Sequence, residues 1–199
     1  MKEGGLDAEF FAVFTGQGPL NSEGYTRVRE TADSAFSAIH KMCADYPGLV
    51  QLALTPGDAL RLEKEGKRAA FIGMENGYPI GRDIEMVKEY YDRGMRYLTL
   101  IHGGDNDICD SSTERENPED NGLSEFGRKV VQECNRLGIM VDVSHMSDRS
   151  FYDVLEFSRA PIFASHSSVR ALCDHPRNLS DDMIKALAEK DGVIQICFV

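Results

Sequence analysis

Six short apolar runs alternate with amphipathic segments along the chain. The runs are apolar almost throughout, as expected of strands that are buried on both faces of a parallel sheet. They lie at Glu9–Phe14, Ala69–Met74, Tyr97–Ile101, Met140–Ser144, Ile162–Ser165 and Val193–Phe198. This alternation predicts repeated strand–helix units and therefore an α/β fold with a parallel sheet.

The segments between the runs carry start and stop signals of helices. Serine followed by aspartate opens two of them, which caps the first amides and suits the helix dipole, and Gly138 closes another. The predicted helices are Asn21–Asp45, Asp83–Asp92, Ser124–Leu137, Ser147–Phe157 and Ser180–Lys190, with one more starting at Thr55-Pro56 after a short extended stretch, Leu49–Leu54.

Three polar side chains close three of the apolar runs: Glu75, His145 and His166. The carboxyl ends of parallel strands meet at one mouth of an α/β barrel, where such folds carry their chemistry. Imidazoles together with a carboxylate suit Zn²⁺ or a similar first-row ion, and a carboxylate can bridge two such ions. The pattern therefore predicts a metal site formed by these three residues.

Each of the three residues also has a structural interpretation. His145 taken alone fits a buried or capping histidine, but the same arrangement recurs at His166 one strand–helix unit later, which favours a shared site. Glu75 at the end of an apolar strand must be paired or bind a metal to offset its desolvation. A salt bridge with a nearby lysine or arginine is the alternative for Glu75.

Two further residues are candidates for contact with a substrate. His102 ends one apolar run and opens the polar segment Gly103–Asn121, and its role as a fourth ligand or as an electrophile near the metal stays open. Arg177 follows the second of the histidine-bearing strands, so it could bind a substrate carboxylate in bidentate geometry or be an ordinary surface arginine. We interpret His40 and His175 as structural.

The charge balance limits the classes of binding partner that the protein can have. The 33 acidic and 22 basic residues give a formal charge of −11, which argues against nucleic acid or an anionic membrane and favours a small-molecule substrate. No run of about 18 apolar residues predicts a transmembrane helix, and Met1–Gly5 lacks the apolar core of a signal peptide. The five cysteines include no Cys-x-x-Cys pair, so a thiolate zinc site is not indicated.

The motifs around these residues resemble one known family. They are Ile-Gly-Met-Glu-Asn-Gly with Glu75, Tyr-Leu-Thr-Leu-Ile-His with His102, Gly122–Gly127, Val141–His145, Ala160–Ser168 and His175-Pro176-Arg177-Asn178. In this order and over nearly the whole chain they resemble the membrane (renal) dipeptidases, zinc metallopeptidases of the amidohydrolase superfamily. The resemblance implies a (β/α)8 TIM-like barrel of the metal-dependent hydrolase type. It also implies a dipeptide substrate, often with a D-residue on the C-terminal side, cleaved by a metal-activated water.

The resemblance also implies a role for each candidate residue. Glu75 would bridge two zinc ions, and His145 and His166 would complete the ligands of the second ion. His102 would contact the substrate and the developing oxyanion, which makes it catalytic together with Glu75. Arg177 would hold the substrate carboxylate.

The polar segment Gly103–Asn121 would roof the pocket. Its residues Asn106 and Asp110 match polar positions of the family.

Two family features have no counterpart in the sequence. The His-x-Asp pair of the first barrel strand and the aspartate of the eighth strand are both missing. We therefore expect residues 1–199 to form one partial barrel domain, about strands two to seven of eight, and we expect the chain alone to be inactive. Another amidohydrolase acting on a small acid and a catalytically inactive fragment are the alternatives, while a homodimer and an exported or periplasmic parent protein are further expectations.

Overall fold

Strands and helices alternate throughout the computed structural model, which describes residues 1–114 and 121–197. The strands are β1 Ala8–Phe14, β2 Val50–Leu52, β3 Arg68–Glu75, β4 Met95–Thr99, β5 Met140–Asp142, β6 Phe163–Ser167 and β7 Val193–Ile196. The helices are α1 Ser22–Asp45, α2 Pro56–Lys64, α3 Glu85–Asp92, α4 Glu125–Leu137, α5 Asp148–Phe157 and α6 Asp181–Glu189. Two short 3₁₀ helices lie at Lys2–Gly4 and Tyr78–Ile80.

The strands form one parallel sheet in the order β1-β3-β4-β5-β6-β7. The short strand β2 pairs with the first residues of β3, ahead of the part that pairs with β4. Within the described residues β1 pairs only with β3 and β7 only with β6, so the sheet is not closed. This arrangement confirms the predicted fold class, an α/β fold of the incomplete (β/α)8 barrel type.

Helices cover the sheet in chain order. α1 packs on β1 and β2, α3 on β4 and α4 on β5, and α3, α4, α5 and α6 contact one another in sequence. The largest apolar cluster lies between these helices and the sheet and includes Phe36, which stacks on Tyr90 with ring centroids 5.6 Å apart. Among the described helices, none combines the length and the apolar character needed to cross a bilayer.

The predicted burial of every strand on both faces is only partly right. β3 is buried over its whole interior and β4 nearly so, but β1 and β7 are half-exposed. In β7, Val193 is 57% and Ile196 is 55% exposed. β1 and β7 each have one neighbouring strand in the described sheet, so their apolar side chains lack the contacts that bury those of β3.

The predicted helix caps are confirmed. The side chains of Ser124, Ser147 and Ser180 each accept a hydrogen bond from a backbone amide in the first turn of α4, α5 and α6. Gly138 ends α4 in the left-handed conformation, at φ 76°. Helix bounds therefore agree with the sequence pattern to within about two residues.

The strand ends differ from prediction where the site is built. β4 ends at Thr99 and β5 at Asp142, so the residues that follow belong to loops, whereas β6 continues to Ser167. β5 pairs with β6 at one position, Asp142 with Phe163. The Val143 amide still donates to the Phe163 carbonyl at 2.8 Å, and the Asp142 side chain accepts the amide of Ser144 at 3.0 Å in the turn that follows β5.

Gly127 allows α4 to approach the loop that follows β4. A Cβ at this position would lie 2.1 Å from the carbonyl oxygen of Ile108. Ser124 reinforces the contact, because its hydroxyl accepts from the Gly127 amide at 2.8 Å and donates to the Asp107 carbonyl at 2.7 Å. The first turn of α4 therefore supports the loop only if residue 127 has no side chain.

We predict that Gly127→Ala lowers the free energy of unfolding by about 1–3 kcal/mol, because the added methyl group overpacks this contact. Urea denaturation of the metal-free protein measures the change. Gly57→Ala in α2 is the matched control: Gly57 is exposed, the nearest atom to an added Cβ is 3.6 Å away, and alanine favours the helix. Equal stability of the two variants would contradict the assigned contact.

Candidate metal centre

Four of the five predicted site residues meet at the carboxyl ends of the central strands. Glu75 is the last residue of β3, His102 follows β4, His145 follows β5, and His166 lies within β6. The structure thus brings together residues that are far apart in the sequence. His166 is inside its strand and not beyond it, which corrects the predicted position.

Three potential ligand atoms form the centre of the cluster. Oε1 of Glu75 lies 3.3 Å from Nε2 of His145 and 3.3 Å from Nε2 of His166. The two imidazole nitrogens are 2.8 Å apart, within hydrogen-bond distance. All three atoms lie within 4.8 Å of one another, and no other such group of histidine, cysteine or acidic residues occurs in residues 1–114 and 121–197.

These distances suit a divalent metal. Tetrahedral ligands about 2.0–2.2 Å from an ion are separated from one another by roughly 3.4 Å, and both carboxylate–imidazole distances at Glu75 are 3.3 Å. Imidazole nitrogen and carboxylate oxygen are also the donor types that Zn²⁺ and similar ions bind. The two contacts of Glu75 and the donor types of all three residues therefore fit a metal ion, whereas the 2.8 Å between the imidazole nitrogens is shorter than the separation expected of two ligands.

His102 borders this group. Its Nε2 lies 3.7 Å from Oε1 of Glu75, and its ring centroid is 4.2 Å from that of His145. On its other side the ring contacts Phe14 edge-on, with centroids 5.0 Å apart. His102 thus adds an imidazole beside the three ligand atoms, with 30% of its side chain exposed.

Burial and contacts within the cluster shift the pKa values of Glu75, His145 and His102. Desolvation lowers the pKa of His145 to about 4, although its hydrogen bond with Glu75 acts in the opposite direction. Desolvation also lowers the pKa of His102. Burial raises the pKa of the Glu75 carboxyl, but its contacts with the imidazoles of His145 and His166 outweigh burial and leave the pKa below its usual range. At neutral pH a carboxylate therefore faces neutral His145 and His102, the state in which these groups bind metals.

The backbone is strained beside two of the candidate ligands. His145 has φ 72° and Asn76, directly after Glu75, has φ 81°. Left-handed conformations of non-glycine residues are concentrated at functional sites. The His145 carbonyl accepts the amide of Ser112 at 2.8 Å, and this contact with the loop after β4 helps to hold the conformation.

Asn76 joins the loops after β1 and β3. It is fully buried, and its Nδ2 donates to the Thr15 carbonyl at 3.1 Å and to Oε1 of Gln17 at 3.2 Å. Its Oδ1 accepts the amide of Tyr78 at 3.1 Å. The side chain therefore fixes the turn that follows Glu75, a role that its position in the sequence motif did not reveal.

Arg177 returns to the cluster through the loop after β6. Its Nη2 donates to the carbonyl oxygen of His166 at 3.0 Å, and burial lowers its pKa. The Arg177 amide donates to Nδ1 of His175 at 3.2 Å. His40 is exposed, and its Nε2 lies 2.8 Å from the Arg93 carbonyl oxygen. His40 thus has its partner away from the cluster, and His175 supports the backbone at Arg177, in keeping with the structural interpretation of both.

The polar segment after β4 is folded by its own side chains. Ser111 Oγ donates to the His102 carbonyl at 2.7 Å, and Asn106 Nδ2 donates to the Leu100 carbonyl at 2.9 Å. Asp110 Oδ2 accepts the Gly122 amide at 2.7 Å. Asn106 and Asp110 therefore shape the loop itself, and residues 115–120 of the expected roof lie outside the described residues.

Asp142 was missed by the sequence interpretation. This fully buried aspartate ends β5 and hydrogen-bonds residues of β4 and β6 close to His166. A signal was available, because a carboxylate inside an apolar run such as Met140–Ser144 must be satisfied by buried donors.

Comparison with known proteins places this geometry in a family. The model of the membrane dipeptidases, peptidase family M19, matches residues 1–199. The structure of the probable dipeptidase PvdM from Pseudomonas aeruginosa is similar at a TM-score of 0.90 and 34% identity, covering 96% of this chain and 50% of that one. An amidohydrolase from the same organism is similar at a TM-score of 0.86 and 27% identity, covering 98% of this chain and 56% of that one.

A third structure adds a ligand. It is a metallopeptidase from Rhodobacter sphaeroides, solved with a phosphinate mimic of the dipeptide L-Ala-D-Ala, with a TM-score of 0.88 and 25% identity, covering 98% of this chain and 62% of that one. This chain therefore spans about half to three fifths of the length of the proteins it matches. The match of the family model over all 199 residues shows that the chain belongs to the membrane dipeptidase family, peptidase family M19.

Proposed function

We propose that this chain supplies the metal-binding and substrate-carboxylate-binding part of a zinc-dependent dipeptidase. One observation carries the proposal: Glu75 Oε1, His145 Nε2 and His166 Nε2 lie 2.8–3.3 Å from one another. A half-buried carboxylate that faces two imidazoles at one mouth of an α/β barrel is a metal-binding arrangement. Family membership is consistent with hydrolysis of a peptide bond.

The ligand set is proposed as follows. Glu75, His145 and His166 would hold one ion, and Glu75 has a second carboxylate oxygen with which to bridge to another. In the intact enzyme we expect two zinc ions. When bound, such ions supply Lewis-acid activation of a water and of the scissile carbonyl.

The substrate is proposed to be a dipeptide with a free carboxylate. Arg177 is half-buried beside the cluster, and its Nη2 donates to the His166 carbonyl. A guanidinium has further donors to offer to a carboxylate. The Rhodobacter metallopeptidase that binds a mimic of L-Ala-D-Ala supports this class of substrate. His102, beside Glu75, would donate to the oxygen of the scissile carbonyl as negative charge develops there.

A hydrolase that opens an amide of another small acid is the second candidate, and the similarity to an amidohydrolase favours keeping it. Both candidates use the same metal ligands. Their substrates differ in the group on the far side of the scissile bond, which is an amino acid in a dipeptide and another acyl group in an N-acyl amino acid. Turnover of a panel of dipeptides and N-acyl amino acids by the full-length gene product separates them.

We predict that His145→Ala in the full-length protein lowers zinc affinity by more than about 100-fold, because loss of a direct ligand should exceed the 10–100-fold cost of losing a residue that only orients one. Dipeptide hydrolysis should be nearly abolished. Metal content after dialysis and initial rates measure both effects, and His40→Ala is the control, since His40 is exposed and remote from the cluster. Full metal content and activity in His145→Ala would show that the ligand assignment is wrong.

We predict that Arg177→Lys lowers kcat/KM for dipeptides by about ten- to a hundredfold, because a charge-assisted bidentate contact contributes roughly 1.5–3 kcal/mol. The loss should be smaller for a dipeptide whose C-terminal carboxylate is amidated. Steady-state kinetics on matched acid and amide substrates measure the difference. Equal losses on both substrates would mean that Arg177 serves the fold and not substrate binding.

We predict that the 199-residue chain alone hydrolyses dipeptides much more slowly than the full-length gene product, even with added zinc. The chain contains no His-x-Asp sequence to hold a further ion, so it should bind at most one zinc. Zinc stoichiometry by mass spectrometry and initial rates, measured side by side on both proteins, test this. Comparable rates would refute the need for additional ligands.

A further inference from the structure

Asp142 lies at the centre of a buried hydrogen-bond network beside the proposed metal centre. Its Oδ1 accepts the backbone amides of Ser144 at 3.0 Å and Ser165 at 2.9 Å. Its Oδ2 accepts the hydroxyl of Thr99 at 2.6 Å and the hydroxyl of Ser165 at 2.5 Å. The carboxylate thus ties the ends of β4, β5 and β6 together with four donors, which offsets its complete burial.

The network fixes the position of one proton on His166. Ser165 has a single hydroxyl hydrogen, and it donates this hydrogen in its hydrogen bond to Asp142. Ser165 Oγ also lies 2.7 Å from Nδ1 of His166, so it can only accept there and Nδ1 must carry the hydrogen. The other ring nitrogen, Nε2, is then left with its lone pair, and this is the atom that faces Glu75 and His145.

We propose that Asp142 and Ser165 are positioning residues that hold His166 in the tautomer able to bind a metal through Nε2. Resting on the proposed function, this inference extends it from the ligands to the residues that orient them. A partner on the remote nitrogen commonly sets ring orientation and tautomer of a ligating histidine. The hydroxyl of Ser144 adds to the effect, because it accepts the backbone amide of His166 at 3.1 Å.

Asp142→Asn should reverse the direction of the two hydrogen bonds that link residue 142 to His166 through Ser165. The two backbone amides at Oδ1 require an acceptor, so the asparagine oxygen takes that position and its NH₂ faces Thr99 and Ser165. The NH₂ then donates to Ser165 Oγ, and the Ser165 hydroxyl turns to donate to His166 Nδ1. The proton on His166 moves to Nε2, where it blocks metal binding, although the shape of the side chain at position 142 is unchanged.

The tautomer can be observed without any metal. In the metal-free, full-length protein labelled with ¹⁵N-histidine at a pH where His166 is neutral, long-range ¹H–¹⁵N spectra distinguish the two ring nitrogens, and His166→Gln assigns the signals. We expect the hydrogen on Nδ1 in the wild type and on Nε2 in Asp142→Asn. The same tautomer in both proteins would overturn the proposal.

A second pair of variants tests the effect on metal binding. Ser165→Ala and Thr99→Val each remove one hydroxyl donor to Asp142 Oδ2, but only Ser165 contacts His166. We expect Ser165→Ala to weaken zinc affinity about 10–100-fold and Thr99→Val to change it by less than about threefold, with melting temperatures recorded for both metal-free proteins. Equal losses of affinity in the two variants would show that the network serves the fold alone.

These measurements separate the two proposals. If the wild type binds no zinc, the proposed function fails, while the tautomer spectra still decide the role of Asp142 and Ser165. If the wild type binds zinc and Ser165→Ala binds it equally well, the metal centre stands and the positioning role is refuted.

Discussion

Parallel pairing of β3, β4, β5 and β6 is the constraint on which the whole site depends. The pairing register aligns Glu75 with Thr99, Thr99 with Asp142, and Asp142 with Phe163. These residues therefore occupy one row across the sheet, although they come from four separate strand–helix units. A shift of one strand by a single residue would turn its side chains to the other face, and both the ligand cluster and the Asp142 network would be lost.

Two carboxylates on that row have different partners: Asp142 is fully buried, and Glu75 is half-buried. Asp142 accepts hydrogen bonds from four donors of the protein, which is about as many as a carboxylate can accept. The fold itself therefore compensates its charge. Glu75 faces imidazoles whose ring nitrogens we propose as metal ligands. Because an unpaired buried charge is costly, the structure stabilises one carboxylate permanently and leaves the other suited to a cation.

The loops that carry the ligands are held by contacts outside the sheet. Asn76 and His145 adopt left-handed backbone conformations, and each is held by hydrogen bonds from neighbouring loops. Ser111 fixes the His102 carbonyl, and the glycine at position 127 lets α4 support the same loop. Precise placement of the imidazoles is therefore a property of the packed loops and not of the strands alone.

The sequence by itself determined the order of strands and helices, their caps, the fold class and the identity of the residues at the strand ends. It could do so because burial on a parallel sheet and helix capping are local patterns with characteristic periods and residue types. Tertiary structure decided the strand ends at Thr99 and Asp142, the exposure of β1 and β7, and the partners of Arg177 and Asp142. These features depend on which strands are neighbours in the sheet and on which polar groups from distant parts of the chain lie close to a buried side chain. No local sequence pattern contains that information.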